Sequence, residues 1–180
     1  MKYRWLCLSD IHYLIENYDI NSLREKLLKY LEEEELFDFV IITGDLMYQN
    51  KYNDSVIDFL KSIKNFIRDS SAEKYIIVPG NHDYTRTHDR TAKIDYYIKN
   101  FDPKNTNNAE QTNELLKNGI SKFSKLYREV TGEKYHNKPI RYITINSVIQ
   151  VIAVNSCMLT PYLQDPVYPL QIIMIKYYFC

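Results

Sequence analysis

The sequence predicts an α/β fold with a mixed β-sheet core flanked by helices, and three observations carry that expectation. Short apolar runs rich in β-branched residues alternate with segments of helical periodicity. Three of those runs end in compact polar motifs that contain two of the chain's four glycines, Gly44 and Gly80. Two later β-rich runs are separated only by Asn146-Ser147. Strand, helix, strand, helix, strand is the order in which right-handed crossovers build a parallel sheet, and ligands collect at the carboxyl ends of such strands.

Tyr3 to Ser9, Phe37 to Thr43 and Tyr75 to Val78 read as the three buried strands. Between the first two, Ser22-Leu23-Arg24-Glu25 matches a helix capping box, and Leu23, Leu27 and Leu31 recur every four residues, so an amphipathic helix is expected from Ser22 to Glu35. Between the second and third, Val56, Ile57, Leu60, Ile63 and Ile67 mark one helical face, with Lys61, Lys64 and Arg68 off it. Tyr84 to Asn108 is polar and carries Pro103. It predicts a partly helical excursion and then a surface loop, where substrate-specific contacts are expected. Leu116, Ile120, Phe123, Tyr127 and Val130 predict a further helix, weakened by Gly119. Arg141 to Ile145 and Val148 to Val154 read as a hairpin, an antiparallel addition that makes the sheet mixed. The apolar segment Leu170 to Cys180 reads as a strand that is either buried in a sheet or left as an edge open to association.

Composition narrows the function classes. Lys+Arg and Asp+Glu both number 23, so there is no bulk positive field to draw the chain onto nucleic acid. The longest apolar stretches are about eight residues against the roughly 20 of a membrane span, and Asp10 and His12 stand where a signal peptide would be apolar. A cytoplasmic protein without membrane contact is expected. Cys7, Cys157 and Cys180 are odd in number and lack C-x-x-C spacing, which favours neither a disulfide framework nor a zinc ribbon. Cys7 and Cys157 read as small buried apolar residues. Seventeen tyrosines against four glycines read as compositional bias rather than as an aromatic binding surface.

The chemistry lies in Asp10-Ile11-His12, Gly44-Asp45 and Pro79-Gly80-Asn81-His82-Asp83, each placed just after an apolar run. Residues two apart in an extended segment face the same side, so Asp10 and His12 can both address one metal. Taken alone, Asp10 reads as a cap, His12 as a surface imidazole and Asp45 as a turn residue. The third motif changes that reading. Asn81 can coordinate a metal without adding charge, His82 can donate a proton to a leaving-group oxygen, and Asp83 can accept a hydrogen bond from the other ring nitrogen of His82. His88 and His136 stand in polar surroundings and read as solvent-exposed residues rather than ligands.

These residues resemble the calcineurin-like metallophosphoesterase superfamily, whose D-x-H, G-D and G-N-H-D/E blocks occur here in order after the right strands. The resemblance is strong from Tyr3 to Asp83 and faint from Tyr142 to Ser156. It implies a metal-dependent phosphoester hydrolase, a phosphatase or phosphodiesterase acting on a small-molecule or macromolecular phosphoester. Asp10 and His12 would bind the first of two divalent ions, Asp45 would bridge both, Asn81 would bind the second, and His82 would be the catalytic acid. Manganese, iron and zinc all suit such ligands. Asp10 and Asp45 cancel two of the four positive charges and leave two to hold a phosphate dianion.

The family's later blocks, a lone His and a G-H-x-H, have no counterpart. Residues 1–180 are therefore expected to form one domain resembling a truncated α/β/β/α sandwich, incomplete at its C-terminus and weak or inactive alone. The alternative is a non-catalytic binding or assembly module that retains a partial metal site, with a partner chain covering the C-terminal edge. Nucleotide-binding glycine loops are absent from the sequence.

Overall fold

Phe39-Val40-Ile41-Ile42 form β2 (Phe39–Ile42), and all four side chains are buried. Alternate residues of a strand face opposite sides, so a strand with no exposed face needs a layer on each side. The computed structural model supplies both layers. It describes residues 2–13, 18–47, 53–69, 71–85, 87–100, 119–155, 157 and 173–177.

Strand β2 is the centre of a parallel sheet between β1 (Trp5–Leu8) and β3 (Tyr75–Ile77). On one side Val40, Ile42, Tyr75 and Ile77 enter a core shared with helices α2 (Asp54–Lys64) and α4 (Ser121–Thr131). On the other side Phe39, Ile41, Ile76 and Val78 pack against Ile145, Ile149, Val151 and Ala153. Those four partners come from β4 (Ile140–Ile145) and β5 (Ile149–Val154), which form with β6 (Ile173–Tyr177) a second, antiparallel sheet of order β4-β5-β6. The described layers are thus helix, sheet, sheet.

The α/β class and its crossovers agree with the sequence, but the hairpin does not join the parallel sheet. It lies across the sheet's face, because the second face of β2 would otherwise remain in water. Arg141 links the two layers. Its guanidinium donates to the Ile77 carbonyl and lies 5.2 Å from the Tyr135 ring. The segment 170–180 contributes β6, antiparallel to β5, and its side chains lie outside the described residues.

Helix α2 follows its sequence closely. Asn53 caps it by accepting from the Val56 N–H, and Val56, Ile57, Phe59, Leu60 and Ile63 are buried. Ile67 lies past the helix end and is buried beside Phe37, to which it forms a parallel bridge. Helix α1 (Tyr18–Glu32) departs from expectation: it is already helical at Ser22, so the apparent capping box falls inside it, and Leu23 is 66% exposed. Its inward positions are Arg24, Leu27, Leu28 and Leu31. Helix α3 (His88–Lys99) begins the expected excursion after the third motif. Residues 101–118, with Leu116 and the expected surface loop, lie outside the described residues.

Cys157 is buried as expected, whereas Cys7 is exposed. Cys7 and Trp5 share one face of β1, the edge strand of the parallel sheet, and the other strands of the sandwich leave that face partly open. Among the described residues no helix is long and apolar enough to cross a membrane.

Candidate metal centre

Beyond the ends of β1 and β2 the two chains continue side by side as paired loops. The Thr43 N–H donates to the Leu8 carbonyl (3.0 Å), Asp10 N–H to Gly44 (3.2 Å), His12 N–H to Asp45 (2.8 Å) and Tyr13 N–H to Leu46 (2.8 Å). This zipper sets Asp10 and His12 in register with Asp45. It requires left-handed backbone at all three, with φ of 54°, 42° and 51° respectively. Asp and His enter that region more readily than most side chains, but still at a cost on the order of 1 kcal/mol each. Such strain is concentrated at functional sites.

The third loop enters through a contact between two glycines. Gly44 has φ of 103°, and a Cβ built on it would stand 2.2 Å from the Gly80 nitrogen. A Cβ on Gly80 would stand 2.2 Å from Asp45 Oδ1. Only a pair without side chains lets the two loops approach this closely. As a result the His82 N–H donates to Asp45 Oδ1 (2.8 Å), and His82 meets His12 edge-on with ring centroids 4.9 Å apart.

Ligand atoms of His12, Asp45 and His82 all lie within 4.8 Å of one another. Asp10 adjoins them: its Oδ1 is 3.7 Å from His12 Nε2, and Asp45 Oδ2 is 4.0 Å from that same nitrogen. Both separations are too long for hydrogen bonds. They fall within the roughly 4.2 Å that can separate two donors each about 2.1 Å from one ion. Imidazole and carboxylate donors suit manganese, iron or zinc, so the residues present fit a divalent metal. Asp45 is 6% exposed, and a carboxylate so far out of water calls for a compensating charge. Asp10 is the outer member, its side chain 67% exposed and one oxygen accepting from the Ser9 hydroxyl. Asn81 opens the short turn Asn81–Asp83 that carries His82.

Asp83 lies beneath the cluster and is wholly buried. Its Oδ2 accepts from the N–H groups of Gly80 (2.8 Å) and Leu46 (3.3 Å), and its Oδ1 from Met47 (3.0 Å). The carboxylate therefore fastens the third loop to the second. Burial pushes its pKa up to about 7, opposed by those three hydrogen bonds and assisted by the nearby Asp45 charge. Sequence reasoning assigned Asp83 to the His82 ring and missed this clamp. It also missed Arg24, whose Nη2 donates to the carbonyls of Ile11 (3.3 Å) and His12 (3.2 Å).

His88 and His136 are both exposed, and neither belongs to the cluster found among the described residues. Behind the third loop, Asn155 at the end of β5 is buried and donates through Nδ2 to the Tyr84 hydroxyl (2.9 Å). It thereby connects the second sheet to the residue after Asp83.

A sequence model described as calcineurin-like phosphoesterase matches residues 3–155. The chain is also 32% identical over 166 residues to an uncharacterized metallophosphoesterase-like protein, YydB, of Bacillus subtilis strain 168. That alignment covers 89% of this chain and 34% of the relative, so the chain spans about a third of the relative's length.

Proposed function

The chain belongs to the calcineurin-like phosphoesterase family, and on that premise we propose that it hydrolyses a phosphate mono- or diester at a two-metal site. The observation that carries the proposal is the convergence of His12, Asp45 and His82 within 4.8 Å at the carboxyl ends of the parallel strands. Asp10 and His12 would hold one divalent ion, Asn81 the other, and Asp45 would serve both. When bound, the ions supply Lewis acidity that activates water and neutralises phosphate charge.

The chain's own residues do the rest. Asp45 keeps its oxygens oriented by accepting from the His82 N–H. His82, whose ring meets that of His12 edge-on, would hand a proton to a departing alkoxide. Asp83 holds the loop that carries both Asn81 and His82. Cytoplasmic action on a small-molecule or macromolecular phosphoester is part of this proposal.

The test is metal analysis of the dialysed chain alongside hydrolysis of p-nitrophenyl phosphate and its bis ester. The expected result is about two equivalents of manganese, iron or zinc, lost in His12→Ala and Asp45→Asn, with turnover that is weak in residues 1–180 alone and abolished by EDTA. A folded chain that retains no metal and shows no EDTA-sensitive turnover overturns the proposal.

A further inference from the structure

We infer that Arg24 is a positioning residue of the metal centre, holding from helix α1 the turn that presents His12. The inference rests on the reading of His12 as a metal ligand.

The segment Asp10 to Tyr13 has to keep two non-glycine residues in left-handed backbone. One side of it is zipped to Gly44–Leu46 by main-chain hydrogen bonds. The other side is held by one guanidinium, whose Nη2 lies 3.3 Å from the Ile11 carbonyl oxygen and 3.2 Å from that of His12. The same guanidinium lies over the Tyr13 ring, its carbon 4.0 Å from the centroid. Three consecutive residues, 11 to 13, are thus gripped by one side chain. Arg24 is 9% exposed, so water does not compete strongly for these charge-assisted contacts.

Arg24 is a cation and cannot serve as a ligand, and by charge alone its removal would favour the metal, so weaker binding in an Arg24 variant reads the geometry. Both hydrogen bonds go to main-chain oxygens, and one of those oxygens belongs to His12 itself. Turning that peptide would swing the imidazole away from Asp45. A lysine would keep the charge, but its compact ammonium cannot lie flat on Tyr13 and reach both carbonyls at once.

The experiment compares the chain with Arg24→Lys, Arg24→Met and His12→Ala by calorimetric titration with manganese alone. Circular dichroism and melting are measured in EDTA. The expected result is a manganese dissociation constant raised about 10- to 100-fold in Arg24→Lys, the range for groups that orient metal ligands. Helix content should be unchanged and Tm within a few degrees of the parent. His12→Ala should lose the site. An unchanged constant in Arg24→Lys, with binding lost in His12→Ala, overturns the Arg24 inference and leaves the metal-centre reading standing. A parent chain that binds no manganese overturns the inference as stated for that ion, and the metal-centre reading falls with it only if metal analysis finds no iron or zinc either. Loss of folding in both Arg24 variants also overturns it, since Arg24 would then hold up the core and not the turn.

Discussion

At the scale of single residues, Asp83 separates what the sequence disclosed from what it concealed. The sequence placed a carboxylate after Asn81-His82 at a strand end, and that carboxylate is there. Its partners were not legible, because the Leu46 and Met47 donors lie 37 and 36 positions away along the chain, whereas His82 is adjacent. Arg24 was hidden for a similar reason: its partners at Ile11 and His12 are set by how α1 lies on the first loop. Asp83→Asn is expected to lower stability by about 1–3 kcal/mol, the cost of leaving a buried donor unmatched. A carboxamide has one accepting oxygen and would turn its own N–H groups toward at least one of the three backbone donors. Urea denaturation of the metal-free chain reads the change directly. An Asp83→Asn midpoint equal to the parent's would remove the clamp from the account.

At the scale of elements, periodicity was a good guide where one face meets a core and a poor guide to where an element begins. The buried set of α2 includes four of the five residues singled out by spacing. The start of α1 was misplaced because Ser22 and Glu25 satisfy a capping pattern that has no meaning inside a helix. Its four-residue leucine repeat marked the inward stripe at Leu27 and Leu31 but not at Leu23, which faces water while Arg24 takes the inward position. The hairpin was legible in Asn146 and Ser147, both left-handed in the structure, yet its sheet was not, because a hairpin can extend a sheet or cover one.

Two glycines that end elements give a paired test. Gly132 closes α4 with φ of 83° and has nothing within 4 Å of a built Cβ. Gly132→Ala should therefore cost only the conformational penalty of about 1–2 kcal/mol. Gly44 has φ of 103° and backbone 2.2 Å from its built Cβ. Gly44→Ala should cost clearly more than Gly132→Ala and should lower metal content, because the loops bearing Asp45 and His82 must part. Denaturation midpoints and metal analysis of the two variants check this. Equal costs would mean that the contact of the two loops yields easily.

At the scale of the whole molecule, the layers are joined through buried phenols as well as apolar side chains. Tyr75 on β3 donates its hydroxyl proton to the Leu60 carbonyl on α2 (2.8 Å). Tyr84, which follows the third loop, and Tyr135, which precedes β4, both meet Asn155 at the end of β5. Burial raises the pKa of all three above the ordinary tyrosine value, that of Tyr135 to about 12. The unfolded chain releases the same protons near pH 10. Above that pH the folded state therefore binds more protons than the unfolded state, and stability falls as pH rises. The contribution is fully present below pH 10 and is lost as the pH climbs through the folded values. The urea midpoint of the metal-free chain should hold up to pH 9 and then drop steeply by pH 11. Absorbance of ionised tyrosine at 295 nm should rise in two stages, the exposed phenols first and the buried ones only together with unfolding. A single stage complete near pH 10 with the fold intact would show that these three hydroxyls are reached by water, and the layers would then be held by apolar contact and by Arg141.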